Sequence, residues 1–120
     1  MKYSVCALIF RGDKILSVSR KNDPTKFGLV GGKVDEGETL IEALFRETKE
    51  ETGLEIVSYK EVYTRIDDIY ECTTFLCETS GDINVIDEKE TGVIKELTWE
   101  ELFKGPFGEY NKGLFNHLYN

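Results

Sequence analysis

The chain has 120 residues, 40% of them hydrophobic and 12% aromatic, enough to bury one core, so a single domain over residues 1–120 is expected. Its net charge of −8, from 23 acids and 15 bases, leaves no basic strip with which to hold a nucleic-acid polymer. No run of about 18 apolar residues offers a membrane span, and Met1 to Phe10 lacks the pattern of a signal segment, so the expected setting is the cytoplasm, away from membranes.

In chain order, Tyr3 to Phe10 is apolar and β-prone, and Gly12-Asp13 joins it to Ile15–Val18 in a predicted hairpin. Lys21 to Lys26, with Pro24, reads as a loop. Gly28, Gly31, Gly32 and Gly37 follow at a density that disfavours both helix and strand. From Thr39 to Thr52 the period becomes helical, with Leu40, Ile41, Leu44, Phe45 and Thr48 on one side and Gly53 as the stop. Strands are predicted over Glu55–Ile66 and Tyr70–Glu78 around Asp67-Asp68, and then an acidic loop from Ser80 to Thr91. Val93–Leu97 makes a last strand, Thr98 to Glu101 has capping-box spacing, and Glu109–Leu118 forms a final helix. This order of elements suggests an α/β fold, a mixed sheet with helices on its faces. Cys6, Cys72 and Cys77 form no C-x-x-C pair and read as buried free thiols, while a single histidine, His117, makes a Cys/His zinc site improbable.

The informative run is Arg46-Glu47-Thr48-Lys49-Glu50-Glu51. On a helix, Glu47, Glu50 and Glu51 share one face within an arc of roughly 100°, beside the apolar stripe. Like charges at these spacings destabilise a helix by a few tenths of a kcal/mol each. A hard cation with oxygen ligands relieves that repulsion, and it also offsets the charge of a phosphate substrate in an acidic protein. Gly31-Gly32-Lys33 is no P-loop, because Val34 follows the lysine where Ser or Thr is required.

Together the glycines and the acids fall into one spaced pattern: Gly32, Glu38, Arg46-Glu47, Glu50-Glu51, Gly53 and Leu54, over 23 positions. This resembles the Nudix box, G-x5-E-x7-R-E-U-x-E-E-x-G-U, where U is a bulky aliphatic residue. Three positions depart from the family's habits. Thr48 occupies the first U position, with its hydroxyl expected to bond the Leu44 carbonyl. Val30 stands where many members have proline, and Glu96 where many have tryptophan. The flanks Phe27–Gly32 and Leu97–Leu102 resemble the family more weakly, and the order of elements suits its α/β/α sandwich.

The resemblance implies hydrolysis of a phosphoanhydride bond in a small nucleotide, with Mg2+, or Mn2+ in its place. Glu47, Glu50 and Glu51 are then the implied ligands, with Glu38 and the Gly32 carbonyl as additional ones. Arg46, four residues from both Glu42 and Glu50, is expected to hold a carboxylate in place. Glu50 or Glu51 serves as general base, with Glu88 and Glu90 as alternatives on the later loop. Phe27 and Phe75, beside Gly31 and Gly32, are candidates for substrate contact. Among substrates, nucleoside triphosphates of the oxidised, sanitised kind lead, and a nucleoside diphosphate sugar is the alternative. A catalytically silent nucleotide sensor is a further alternative, disfavoured because the box acids are intact. The protein is expected to act as a monomer or homodimer.

Overall fold

The computed structural model describes residues 1–84 and 92–120. In chain order the elements are β1 (Lys2–Leu8), β2 (Phe10–Arg11), β3 (Lys14–Arg20), β4 (Asp23–Lys33), α1 (Leu40–Thr52), β5 (Glu55–Asp67), β6 (Tyr70–Ser80), β7 (Ile94–Leu97), α2 (Trp99–Phe103) and α3 (Gly108–Tyr119). The strands form one mixed sheet in the order β2-β3-β4-β1-β6-β5, with β7 paired to β3. β1 runs antiparallel to β4 and parallel to β6.

β1 is central and covered on both faces, which is why its end reads as an unbroken apolar run: Ala7 and Leu8, neighbours that point to opposite faces, are both fully buried. On one face Val5, Ala7, Leu16 and Val30 pack with Ala43 and Leu44 of α1. On the other, Leu8 and Ile15 pack with Leu102 of α2 and Leu114 of α3. The expected α/β/α sandwich is therefore present. Among the described residues, no helix is long and apolar enough to cross a membrane.

The stretch expected to be a loop and then a glycine-rich turn is instead one strand, β4. The reason is long-range: Val18 and Ser17 pair with Gly28 and Leu29 on one edge, and Val5 and Cys6 pair with Gly32 and Gly31 on the other. Ladder bonds on both edges outweigh weak intrinsic propensity. Pro24 is tolerated because only residues 30–33 of β4 pair with β1, so the first part of the strand keeps a free edge.

Helix α1 is fixed at both ends by its own sequence. Thr39 accepts a hydrogen bond from the Glu42 amide, and the Glu42 carboxylate accepts one from the Thr39 amide. Gly53, at φ 79°, closes the helix by donating to the Lys49 carbonyl. The back-bond expected from Thr48 to Leu44 is not made, and the Thr48 hydroxyl is buried with no protein partner. Thr52 takes that role one turn later, donating to the Thr48 carbonyl at 2.6 Å.

Candidate active site

The outward face of α1 carries its acids around one guanidinium. Arg46 donates to both oxygens of Glu38, Nε to Oε2 at 2.7 Å and Nη2 to Oε1 at 3.0 Å. Nη1 donates to Glu47 at 2.9 Å and Glu50 at 3.3 Å, and Nη2 also reaches the Lys33 carbonyl at 3.0 Å. The predicted alternative partner, Glu42, is not among them, because its carboxylate is committed to the N-cap. The paired hydrogen bonds from Arg46, with one from the Asp35 amide, hold the Glu38 carboxyl down to about 2. Glu38 thus anchors Arg46, and Arg46 in turn spaces Glu47 and Glu50.

Glu47 and Glu51 sit closer to the sheet. Burial pushes the Glu47 carboxyl up, against the opposing pull of Arg46. Glu51 is only 9% exposed and accepts a hydrogen bond from the Gly31 amide at 2.7 Å. Two glycines make this approach possible. A Cβ on Gly32 would lie 2.6 Å from the Glu47 carboxyl carbon, so β4 can meet the helix acids only there without a side chain. A Cβ on Gly31, at φ 155°, would collide with the Val5 carbonyl of the neighbouring strand.

These groups form an all-oxygen donor set, the chemistry a hard divalent cation selects. Among the described residues, no group of three or more His, Cys, Asp or Glu side chains is placed so as to hold a metal ion by itself. An open set suits a cation that keeps waters and shares its ligands with substrate phosphates. Glu47, Glu50, Glu51 and the Gly32 carbonyl are oxygen donors of the kind such an ion takes.

Beside the acids opens a cavity of about 800 Å³, bounded by the central strands and by α3. Glu51 forms part of its wall, as do Gly31, Gly32, Tyr70, Phe107, Tyr110 and Asn111. Asn111 is 1% exposed, and neither its amide nitrogen nor its amide oxygen has a protein partner. A buried, unsatisfied amide costs about 1–3 kcal/mol, so one facing a cavity is poised to receive a ligand that offers a donor and an acceptor. Tyr110 is fixed beside it by a 2.6 Å hydrogen bond with Thr74.

Of the sequence-predicted site residues, Glu38, Arg46, Glu47 and Glu50 are joined by the hydrogen bonds of Arg46, and Glu51, Gly31 and Gly32 line the cavity beside them. The two phenylalanines do not. Phe75 is 4% exposed within the α1-side core, stacked edge-on with Tyr59. Phe27 packs against the opposite core, with the Lys95 ammonium over its ring, and does not line the cavity. Phe75 points to the α1 side of the sheet, whereas Phe27 shares a face with Leu29 and Gly31 but lies further along β4, packed on the α2/α3-side core beyond the cavity. The aromatic groups in the cavity wall are Tyr70, Phe107 and Tyr110. Glu88 and Glu90 lie outside the described residues. Asn111 was not anticipated, because an asparagine in a short amphipathic helix has no local signal of burial.

Comparison with known proteins bears on the fold and the family. An ADP-ribose pyrophosphatase of Methanocaldococcus jannaschii is 53% identical over 53 residues, 42% of this chain and 31% of that protein. A dihydroneopterin triphosphate diphosphatase of Escherichia coli is 38% identical over 66 residues, 53% of this chain and 43% of that one. The chain thus spans less than half the length of these relatives. A MutT Nudix hydrolase from Burkholderia pseudomallei superposes with a TM-score of 0.77 at 24% identity, over 98% of this chain and 97% of that one. An ADP-ribose pyrophosphatase from Streptococcus suis gives 0.78 at 25% identity, over 98% and 89%. The sequence profile of the NUDIX domain matches residues 1–118. With box, sandwich and profile in agreement, the chain belongs to the Nudix hydrolase family.

Proposed function

We propose that this hydrolase uses Mg2+ to split a nucleoside triphosphate into a nucleoside monophosphate and pyrophosphate, with oxidised nucleotides as the leading substrates. The observation that carries this reading is the shared wall: one cavity is lined both by Glu51 of the acidic helix and by the unsatisfied amide of Asn111. A nucleobase in the cavity meets the Asn111 amide and the Tyr70, Phe107 and Tyr110 rings, while its phosphates extend toward α1. Bound to the α1 carboxylates, a divalent cation would neutralise diphosphate charge and lower the pKa of a bound water.

The chain's own residues do the positioning. Glu38 fixes Arg46, Arg46 fixes Glu47 and Glu50, and the Gly31 amide fixes Glu51. Water attacks phosphorus as the anhydride P–O bond breaks, and pyrophosphate leaves. Of the predicted bases that lie within the described residues, Glu50 and Glu51, we place the role on Glu51, which lines the cavity, whereas Glu50 is held by Arg46. The chain is proposed to act in the cytoplasm as a monomer or homodimer.

A second reading, hydrolysis of a nucleoside diphosphate sugar, is favoured by the named activity of the Methanocaldococcus jannaschii relative. The two separate by products. With Mg2+ and a panel of ordinary and oxidised nucleoside triphosphates beside ADP-ribose, pyrophosphate and nucleoside monophosphate are expected. Rapid release of a sugar phosphate, with every triphosphate left intact, would replace the first reading by the second.

A further inference from the structure

The nucleotide reading leaves two groups in the cavity wall unused, the thiols of Cys6 on β1 and Cys72 on β6. Their sulfurs lie 3.7 Å apart, and both are partly exposed, whereas Cys77 is buried. The hydrogen bond between them holds the Cys72 thiol well below its ordinary range and pushes Cys6 up.

A close thiol pair has two chemistries open to it, a disulfide or capture of a soft cation. Strand register separates them. Cys6 stands opposite Thr74, and Cys72 opposite Ser4, so the two are two residues out of step. With about 3.3 Å of rise per residue and about 4.8 Å between strands, their Cα atoms are roughly 8 Å apart. A disulfide needs Cα atoms within about 7 Å, so it would require the two central strands to move. Capture of a cation needs no such shift. For metal–sulfur bonds of about 2.3 Å, the edge of a tetrahedron is about 3.8 Å, close to the separation already present.

We infer that Cys6 and Cys72 form a two-thiolate site for a soft, thiophilic divalent cation in the wall of the nucleotide cavity. Two metal–sulfur bonds form as the remaining thiol protons leave to solvent, with no change of oxidation state. The site differs in chemistry from the oxygen donors on α1, which a soft cation fills poorly. Binding at the thiols is independent of the nucleotide reading. Its consequence rests on that reading: a cation held there shares the cavity with substrate and inhibits turnover.

The test is titration of the full chain with Cd2+ alone, without Mg2+ or nucleotide and with a phosphine reductant, read by sulfur-to-cadmium charge-transfer absorbance. One Cd2+ per chain is expected, and it should shield Cys6 and Cys72 from alkylation in a peptide mass map. Cys6→Ser and Cys72→Ser should each weaken binding by more than the roughly 10–100-fold that loss of an outer partner causes. Cys77→Ala should leave binding unchanged. Absence of the band in the wild-type chain, or both thiols still alkylated with Cd2+ present, would overturn the site whether or not the variants fold. So would ready formation of a Cys6–Cys72 disulfide by peroxide in the folded chain, because the register would then not hold the Cα atoms apart. With Mg2+ and nucleotide, Cd2+ inhibition should be lost in Cys72→Ser. Inhibition that persists there would overturn the cavity consequence, and failure of the chain to hydrolyse any nucleotide bears on the proposed function, not on the thiols.

Discussion

Glu51 and Glu42 lie on one helix and carry one charge each, yet their surroundings assign them opposite roles. Glu51→Gln keeps an oxygen to accept from the Gly31 amide, so the fold should survive while kcat falls on the order of 10²–10⁴-fold. Glu42→Gln still completes the capping box with Thr39, so kcat should change by less than about threefold, the scale of a surface interaction under ~1 kcal/mol. Kinetics and melting of the two folded variants check this, and equal damage from both would remove the meaning of the helix face. Asn111→Leu should raise KM about tenfold or more by taking away two ligand hydrogen bonds, yet leave melting unchanged or higher, because an unsatisfied buried amide is gone. A large drop in Tm with KM intact would make Asn111 structural. Glu38 supplies a pH test. Its folded carboxyl is held at about 2 against an ordinary 4.5, so its stabilisation is complete above about 4.5 and is lost as pH falls through about 2. Melting curves of wild type and Glu38→Gln should therefore converge toward pH 2 and separate fully above 4.5. A gap that widened with acid would contradict the assignment. Glu47, raised by burial, has the opposite sign: its contribution is present at low pH and lost as pH rises through its elevated value.

At the scale of elements, β4 and α1 meet at two glycines whose replacements should fail differently. Gly32→Ala pushes only against the flexible Glu47 carboxyl, so the fold should hold while that acid is displaced, with activity falling about 10²-fold for a shift near 1 Å. Gly31→Ala meets the Val5 backbone, which cannot yield, and should destabilise by about 1–3 kcal/mol. Denaturant melts and kcat measured side by side check the pair, and a reversed pattern would mean that the strand, not the acid, gives way. This junction also shows what local sequence reveals. The helix was legible because period, stop glycine and acids are all local, and so was the Thr98–Glu101 capping box. Thr39 and Glu42 carry the same spacing, but the acids further along drew Glu42 toward Arg46 instead. β4 was not legible, because what makes a glycine-rich stretch extended is the pair of strands on its edges. The places of Phe75 and Phe27 were illegible for a related reason: which face of β6 meets the cavity depends on register, and how far along β4 the cavity extends depends on where α3 packs.

For the whole molecule, box spacing carried the family and the sandwich, whereas the cavity was beyond the sequence. Its wall joins Cys6, Glu51, Tyr70 and Asn111, far apart in the chain, and only the sheet order brings them together. The net charge of −8 makes the central claim demanding, since acidic helix and anionic substrate repel each other unless a cation stands between them. The decisive measurement is turnover of the best nucleotide substrate as Mg2+ is titrated into thoroughly chelated protein. Turnover should be absent at the start, rise saturably with Mg2+, and vanish again on renewed chelation. Undiminished turnover in excess chelator, with metal removal verified, would contradict the reading of Glu47, Glu50 and Glu51 as the holders of a catalytic cation.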